Sequence, residues 1–199
     1  MRLAHLMENT LAYRLWQMPF AREKFAPVAA ANELTRVRCV LDVGCGPGTN
    51  ASYFPHARYV GVDINPAYIE FARNRYNGEF IVADVTDVRI TAGELFDFIL
   101  VNSLLHHLDP ISTRRLLDQL AALLTADGHI HVIELVLPES GSIASFLARA
   151  DRGRFVRPLA EWRQLLDDHF SCTCFQPFTI ARFGVPLWQL LYYKGRSKQ

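Results

Sequence analysis

The sequence of 199 residues has no long apolar run and almost no excess of charge of either sign. No stretch approaches the roughly 20 apolar residues that cross a bilayer, so no transmembrane segment is predicted. The formal net charge of +1 argues against a partner that is recognised by overall charge, such as nucleic acid. The chain does not start with a basic segment and a long apolar core, so we expect no signal peptide and a cytoplasmic location.

Cysteine is scarce, and its spacing fits neither a disulfide framework nor a zinc site. Cys172 and Cys174 form one Cys-x-Cys pair without a second pair, which is weak evidence for a metal. We therefore predict four reduced thiols and no metal site. Internal repeats and low-complexity segments are also absent, and the length suits a single domain over residues 1–199.

Apolar segments alternate with helical patterns from residue 38 onward, which predicts a mainly parallel sheet covered by helices on both faces. Asn65-Pro66 and Asp109-Pro110 each place a capping side chain before a proline, the usual start of a helix. The turn after the first strand then lies at the carboxyl edge of the sheet, where such sheets bind ligands. The predicted core strands are 38–42, 59–63, 79–82, 96–102 and 129–137.

Two flanking regions are expected around this core. Helical periodicity over residues 1–36, interrupted at Pro19, predicts two helices that either cover the sheet or form a lid. The region after the core should contain a helix that begins at Pro158 and a final antiparallel hairpin at the edge of the sheet. The predicted units are an extension (1–36), a ligand-binding core (37–137) and substrate-side segments (138–199), which include a short helix at 143–150, a basic loop at 151–154, and strands 172–179 and 187–194.

The most informative stretch begins where the first predicted strand ends, at Asp42, and continues as Gly44-x-Gly46-x-Gly48. Glycines allow a tight turn and let the backbone approach a ligand closely. This spacing differs from the Gly-x-Gly-x-x-Gly of dinucleotide-binding turns, and Pro47 removes one N–H donor. Asp42 would also repel a pyrophosphate and suit a cationic ligand. An NAD-dependent oxidoreductase is therefore disfavoured.

The motif Asp42-x-Gly44-x-Gly46-x-Gly48 resembles the first motif of the class I S-adenosylmethionine-dependent methyltransferases. The resemblance covers residues 38–137 and continues through Val60-Gly61-Val62-Asp63, Ala83-Asp84-Val85 and the segment 96–102. It implies a Rossmann-like, seven-stranded, mostly parallel sheet of order 3-2-1-4-5-7-6, with an antiparallel last strand, helices on both faces and an N-terminal helical extension. It also implies methyl transfer from S-adenosylmethionine, which leaves S-adenosylhomocysteine.

The same resemblance implies how the motif residues hold this cofactor. Asp42 would serve the ammonium group, directly or through water, and Asp63 would accept both ribose hydroxyls. Ile64 would pack against the adenine, whose amino group Asp84 would accept. The predicted cofactor-binding residues are Asp42, Gly44, Cys45, Gly46, Gly48, Asp63, Ile64, Asp84, Val85 (through its N–H) and Asn102 (through its carbonyl).

Methyl transfer to a protonated acceptor also needs a base, and His107 is the candidate. Much of the rate of such a displacement can come from alignment and desolvation, and a base is needed where the acceptor must lose a proton. A histidine titrates near neutral pH, although a packing role at the start of the next helix is the alternative. The predicted substrate side comprises Tyr13, Arg14, Trp16, His106, Phe155 and Arg157, with Phe20, Glu134, Phe183 and Trp188 as further candidates.

Patterns of two other substrate classes are missing. The Asn/Asp-Pro-Pro-aromatic motif of amine methylation is replaced by Asn102-Ser103-Leu104-Leu105, and no basic groove with stacking aromatics is evident. The apolar and aromatic candidates favour a small organic acceptor, lipophilic or aromatic. A non-catalytic S-adenosylmethionine-binding module or assembly partner with the same fold is the alternative. A monomer or a homodimer is expected.

Overall fold

The computed structural model describes residues 10–86, 93–138 and 154–198, with side chains from residue 20 onward. The predicted helix at 143–150 and most of the basic loop lie outside these residues. The helices are α1 (Thr10–Ala30), α2 (Pro66–Arg75), α3 (Pro110–Ala122) and α4 (Leu159–His169). The strands are β1 (Cys39–Val43), β2 (Arg58–Asp63), β3 (Glu79–Val82), β4 (Phe96–Asn102), β5 (Leu124–Leu135), β6 (Phe170–Arg182) and β7 (Val185–Ser197). Short 3-10 turns lie at Leu34–Arg36, Thr49–Tyr53 and Leu105–His107.

All seven strands form one sheet of order β3-β2-β1-β4-β5-β7-β6. Strands β1 to β5 pair in parallel, and β7 is antiparallel to both β5 and β6. The predicted order and the antiparallel last strand are confirmed. Because β7 runs against its neighbours, its first residues lie at the carboxyl edge of the parallel strands. Strand β7 lies inside the sheet, and β6 forms the edge.

Two apolar layers hold the helices against the sheet, as alternation along the strands requires. In β4, Ile99 and Val101 belong to the layer that contains residues of α3 and α4. Phe98 and Leu100 belong to the opposite layer, which contains residues of α1 and α2. Burying a side chain of this size stabilises the fold by roughly 1.5–3 kcal/mol. A strand that is apolar on both faces therefore needs helices on both sides.

The two predicted helix starts are confirmed by their capping hydrogen bonds. Asn65 Oδ1 accepts the N–H of Ala67 at 3.0 Å, directly before α2. Asp109 Oδ1 accepts the N–H groups of Ile111 and Ser112 at 2.9 and 3.0 Å, at the start of α3. Each cap pairs N–H groups that have no partner inside the first turn of a helix.

The predicted break at Pro19 is wrong, because α1 is continuous from Thr10 to Ala30. A proline inside a helix removes one hydrogen bond and costs about 3 kcal/mol. The helix compensates by tertiary packing, since Phe25 and Val28 are almost completely buried against the sheet. The burial of a helical face is a property of the whole fold and is not visible in the local pattern.

Strand β5 begins five residues earlier than the predicted start at His129. The pairing with β4 jumps from Phe96–Leu124 to Phe98–His129, so residues 125–128 form an irregular insertion within the strand. Gly128 lies inside β5. A Cβ atom at this position would lie 2.8 Å from the carbonyl oxygen of Phe96, so the close approach of β4 requires glycine here.

Candidate active site

The carboxyl ends of the parallel strands meet at a cleft of about 210 Å³. Its walls come from the turns after β1 and β4, with Asp63 at the end of β2 and Tyr68 from α2. The antiparallel strand β7 adds Trp188 and Leu190, and α1 adds Ala21 and Lys24. This is the edge of the sheet at which the sequence predicts ligand binding.

The glycine turn has the backbone that its sequence predicts. Gly44, Gly46 and Gly48 all have positive φ angles, of 73°, 53° and 77°. The N–H groups of Gly44 and Cys45 donate to the carbonyl of Val62, at 2.8 and 2.9 Å, which folds the turn over β2. A Cβ atom on Gly44 would lie 2.9 Å from the side chain of Leu104. Any side chain here would fill the narrow space between the turns after β1 and β4.

Asp63 lines the cleft and holds two turns together. Its Oδ2 accepts the N–H of Gly46 at 2.8 Å, and its Oδ1 accepts the N–H of Asn65 at 2.9 Å. A carboxylate oxygen has two lone pairs, so each oxygen can accept a further hydrogen bond from the cleft. The position and remaining acceptor capacity fit the predicted binding of the two ribose hydroxyls.

Asp42 lies beneath the cleft and is completely buried. Its Oδ2 accepts hydrogen bonds from the hydroxyl of Tyr59 and from Asn50 Nδ2. Its Oδ1 has no hydrogen-bond partner among the described residues. Burial raises the pKa of Asp42 to about 6. Asn50, unlike Asp42, lines the cleft. The contact between Asp42 and the ammonium group, directly or through water, stays a prediction.

The residues predicted to hold the adenine follow β2 and β3 at the same edge of the sheet. Ile64 is 67% exposed, which is unusual for isoleucine and leaves an apolar surface open to a flat ligand. Asp84 Oδ1 accepts the backbone N–H and the hydroxyl of Thr86, and these hydrogen bonds lower the pKa of Asp84. Val85 is half-buried. These three residues are not among those that line the cleft of 210 Å³.

A buried carboxylate organises the turn after β4. Glu134, near the end of β5, accepts the N–H groups of Leu104 and Leu105 on Oε1, at 2.9 and 2.6 Å. Its Oε2 lies 2.6 Å from His106 Nδ1. Ser103 has a φ angle of 56°, in the left-handed region that non-glycine residues rarely adopt. The strained turn thus directs His106 to the cleft and to Glu134 together.

The cover of the cleft, formed by Ala21, Leu135, Trp188 and Leu190, is apolar. Contacts at the tip of the hairpin of β6 and β7 connect it to the rest of the fold. The ring of Phe20 in α1 packs edge-to-face on Trp188 of β7, with centroids 4.6 Å apart. Arg182 of β6 donates to both carboxylate oxygens of Glu23, at 2.7 and 3.0 Å. These contacts hold α1 beside the hairpin. Lys24 brings a cation into the cleft they enclose.

The structure places some of the predicted substrate-side residues in the cleft and others away from it. His106 and His107 line the cleft, as does the further candidate Trp188. Phe155 and Arg157 are not among its lining residues: the Arg157 guanidinium lies 4.7 Å from the ring centroid of Trp162 and donates to the carbonyl of Phe155. Phe183 is fully exposed at the hairpin tip. The side chains of Tyr13, Arg14 and Trp16, in α1, lie outside the described residues.

Lys24, Asn50 and Leu190 line the cleft but were not among the predicted site residues. Asn50 follows the glycine turn directly, so proximity in the sequence was an available signal. Lys24 carries no such signal, because its position depends on where α1 crosses the sheet. Leu190 looks like an ordinary buried strand residue in the sequence.

The described residues show neither a metal cluster nor a membrane span. No group of three or more His, Cys, Asp or Glu side chains within them could hold a metal ion. None of the helices described is both long and apolar enough to cross a bilayer. All four cysteines are free thiols.

Three features define the class I S-adenosylmethionine-dependent methyltransferase architecture. They are a sheet of this order, a Gly-x-Gly-x-Gly turn after β1, and acids that follow β2 and β3 at the same edge of the sheet. The cradle fits that cofactor, since a Cβ atom on Gly44 would obstruct it and buried acids favour a cationic ligand. S-adenosylmethionine is the cofactor of this class, and S-adenosylhomocysteine is its product.

Comparison with known proteins agrees with this class. Residues 40–128 match a family described as a methyltransferase domain. An uncharacterized methyltransferase of Mycobacterium tuberculosis is 35% identical over 107 residues, which cover 51% of this chain and 52% of the relative. Trans-aconitate 2-methyltransferase of Paracidovorax citrulli is 30% identical over 147 residues, which cover 71% and 51%. The chain therefore spans about half the length of these curated relatives.

A solved structure shows the same fold. The N-methyltransferase NodS of Bradyrhizobium japonicum, in complex with S-adenosylhomocysteine, aligns with a TM-score of 0.70 and 20% identity over 92% of each chain. The sheet has the class I S-adenosylmethionine-dependent methyltransferase architecture, and the family match over residues 40–128 and the relatives agree with it.

Proposed function

We propose that the chain transfers a methyl group from S-adenosylmethionine to a small organic acceptor with an apolar or aromatic body. The observation that carries this proposal is the cover of the cleft, because Ala21, Leu135, Trp188 and Leu190 line the same cleft as the glycine turn. An apolar cover binds an apolar acceptor and removes water from the reacting atoms. The acceptor would lie between this cover and the turn after β4.

The cofactor would be held by the turn and acids already described. Asp63 would accept the ribose hydroxyls, the glycines would let the backbone approach the cofactor closely, and Asn50, which donates to Asp42, would connect that buried acid to the cleft. The bound cofactor supplies an electrophilic methyl group on a sulfonium. The protein aligns the acceptor with that group and excludes water. Together these effects can lower the activation barrier by several kcal/mol.

A carboxylic acid is the second candidate acceptor. The relative from Paracidovorax citrulli acts, by its name, on trans-aconitate, which is a carboxylic acid. Lys24 lines the cleft and would attract a carboxylate. A carboxylate is already ionised at neutral pH and needs no base, whereas a phenol must lose its proton.

Binding and transfer can be tested separately. Calorimetry with S-adenosylhomocysteine should show binding, and its absence at millimolar ligand would contradict the proposal. Methyl-labelled S-adenosylmethionine should then label a matched pair of probes, para-butylphenol and para-butylbenzoic acid, with trans-aconitate as a third. Binding without transfer to these probes or to a metabolite extract, even in a single turnover, would favour the non-catalytic module instead.

A further inference from the structure

We propose that His106, held by Glu134, is the base that removes the proton of the acceptor, and that the acceptor is therefore a phenol or another proton-bearing oxygen. This inference rests on the proposed function and narrows it to one acceptor class. Glu134 is a positioning residue in this account, and His106 is the catalytic residue. His107, the base expected from the sequence, lines the same cleft but is exposed.

The hydrogen bonds of Glu134 define the tautomer of His106. Glu134 Oε1 accepts the two N–H groups of Leu104 and Leu105, and Oε2 lies 2.6 Å from His106 Nδ1. An ionised carboxylate can only accept hydrogen bonds, so Nδ1 must carry the proton. In the neutral ring Nε2 is then an acceptor, which is the state that a general base requires.

Burial fixes the orientation of the pair. His106 is 2% exposed and Glu134 is completely buried, yet His106 is among the residues that line the cleft. The backbone carbonyl of His106 also accepts the N–H of Phe155 at 3.0 Å, which holds the turn from its other side. A base held in this way has little freedom to lose when the acceptor binds.

The charge balance of the reaction also favours this arrangement. As the acceptor oxygen bonds to the methyl carbon, the carbon–sulfur bond breaks and the O–H proton moves to His106 Nε2. The products are a methyl ether, a neutral thioether and an imidazolium. The positive charge thus passes to a ring whose Nδ1–H donates to the Glu134 carboxylate, and the proton later leaves to solvent.

Other charged groups face this pair. The His107 ring centroid lies 4.2 Å from that of His106, and Lys24 and Asp63 line the same cleft. Arg157 is close enough to Glu134 for the carboxylate to raise the pKa of Arg157, against the larger lowering by burial.

Nitrogen-15 NMR of histidine-labelled protein with S-adenosylhomocysteine tests the tautomer without any acceptor. We expect the His106 proton on Nδ1. In Glu134→Gln, the side-chain oxygen can still accept the N–H groups of Leu104 and Leu105, while its NH₂ group faces Nδ1. The proton should then move to Nε2, with cofactor affinity changed by less than about twofold. A proton on Nε2 in the unmodified protein would overturn the inference.

Kinetics with para-butylphenol test the role of the base. Glu134→Gln and, as a second variant, His106→Asn should each lower kcat on the order of 100-fold with a smaller change in KM, and should remove the rise of kcat with pH. Asp118→Asn is the control, because Asp118 lies 2.7 Å from His169 in a more exposed carboxylate–histidine pair, and neither residue is among those that line the cleft. We expect no change in its pH profile.

The outcomes distinguish this inference from the proposed function. If neither the probes nor a metabolite extract are methylated although S-adenosylhomocysteine binds, the proposed function has failed. If only the carboxylic acids are methylated, or if the phenol is methylated at an unchanged rate by Glu134→Gln, the transfer stands and the role of His106 is refuted. Loss of the pH-dependent rise in His107→Asn but not in His106→Asn would assign the base to His107.

Discussion

At the residue scale, the site depends on two carboxylates that bind the backbone of neighbouring turns. Asp63 at the end of β2 holds the turn after β1 through Gly46, at 2.8 Å. Glu134 near the end of β5 holds the turn after β4 through Leu104 and Leu105. Each acid thus positions a wall of the cleft that belongs to a different strand. Charged acceptors form stronger hydrogen bonds with N–H groups than neutral ones do, which suits them to this task.

The role of Asp63 predicts a large loss of cofactor binding in Asp63→Ala. The variant removes the proposed acceptor of both ribose hydroxyls and one anchor of the glycine turn. Hydrogen bonds to a charged group contribute roughly 1.5–3 kcal/mol each, so loss of the two should weaken the binding of S-adenosylhomocysteine on the order of 100-fold or more. Calorimetry on the purified variant measures this difference directly.

Asp97→Ala is the matched control for that experiment. Asp97 also accepts backbone N–H groups, from Arg38 and Cys39 at 3.0 and 2.9 Å, but it lies at the start of β4, the opposite edge of the sheet. Its loss should lower stability and leave cofactor affinity within about twofold, because no cleft residue is affected. Equal weakening in both variants would mean that Asp63 acts through general stability.

At the element scale, the hairpin of β6 and β7 contains a strained turn. Phe183 and Gly184 link Arg182 to Val185 and have φ angles of 51° and 77°. Two positive φ angles in a two-residue turn describe type I′, which favours Asn-Gly over Phe-Gly. Phe183 is fully exposed, so its ring gains no burial that offsets the strain.

Phe183→Asn should therefore stabilise the protein by roughly 0.5–1 kcal/mol, since asparagine tolerates the left-handed region better. Urea unfolding followed by circular dichroism would show a higher midpoint with an unchanged slope. Phe183→Ala is the control, because it removes the same ring without the conformational preference of asparagine. If alanine stabilises as much as asparagine, exposure of the ring, and not backbone strain, is the cause.

The contacts between α1 and the hairpin predict that the tip of the hairpin controls access to the cleft. Arg182 pairs with Glu23 and its guanidinium lies 4.8 Å from the ring centroid of Phe20. Phe20 in turn packs on Trp188, which lines the cleft. Arg182→Ala should speed amide exchange in α1 with little change in global stability, because the lost ion pair is exposed.

Hydrogen exchange followed by mass spectrometry measures this effect, and Arg114→Ala is its control. Arg114 forms an exposed pair with Asp168 at 3.1 Å, between α3 and the end of α4. Its loss should leave exchange in α1 unchanged. Unaltered exchange of α1 in Arg182→Ala would show that apolar packing alone holds the helix over the cleft.

At the scale of the whole molecule, the fold followed from the sequence because its signals are local. The helix starts at Pro66 and Pro110 are predicted from a capping residue beside a proline. The strands are predicted from continuous apolar segments. The continuity of α1 through Pro19 depends on burial against a distant sheet. His106 and His107 are neighbours in sequence, and their burial and the position of Glu134 in the folded chain distinguish them.

A buried histidine in β5 takes part in a hydrogen-bond network that links β7 to the segment after α1. His131 in β5 stacks on Phe98 at 3.7 Å, and its Nδ1 lies 3.0 Å from the hydroxyl of Tyr192. Asn32, just beyond α1, donates a hydrogen bond from Nδ2 to the same hydroxyl at 3.0 Å. Burial lowers the pKa of His131 well below its usual value of 6.5, so the folded protein keeps the ring neutral.

The free energy of unfolding should consequently fall as the pH drops below about 6.5, since the unfolded chain then binds a proton that folded His131 does not. His129 adds to the fall, because burial and the nearby Lys194 and Arg196 lower its pKa to about 4. Asp42 acts with the opposite sign: its folded pKa of about 6 exceeds the usual 3.8, so proton uptake stabilises the fold between these values.

Urea unfolding across this pH range separates the contributions. His131→Phe keeps the stacking on Phe98 and should flatten the slope below about pH 6.5, by up to about 1.4 kcal/mol per pH unit. Asp42→Asn removes the opposing proton uptake and should steepen the slope between about pH 6 and pH 4. Because the two variants must shift the slope in opposite directions, a shared direction would refute this account of how the buried groups titrate.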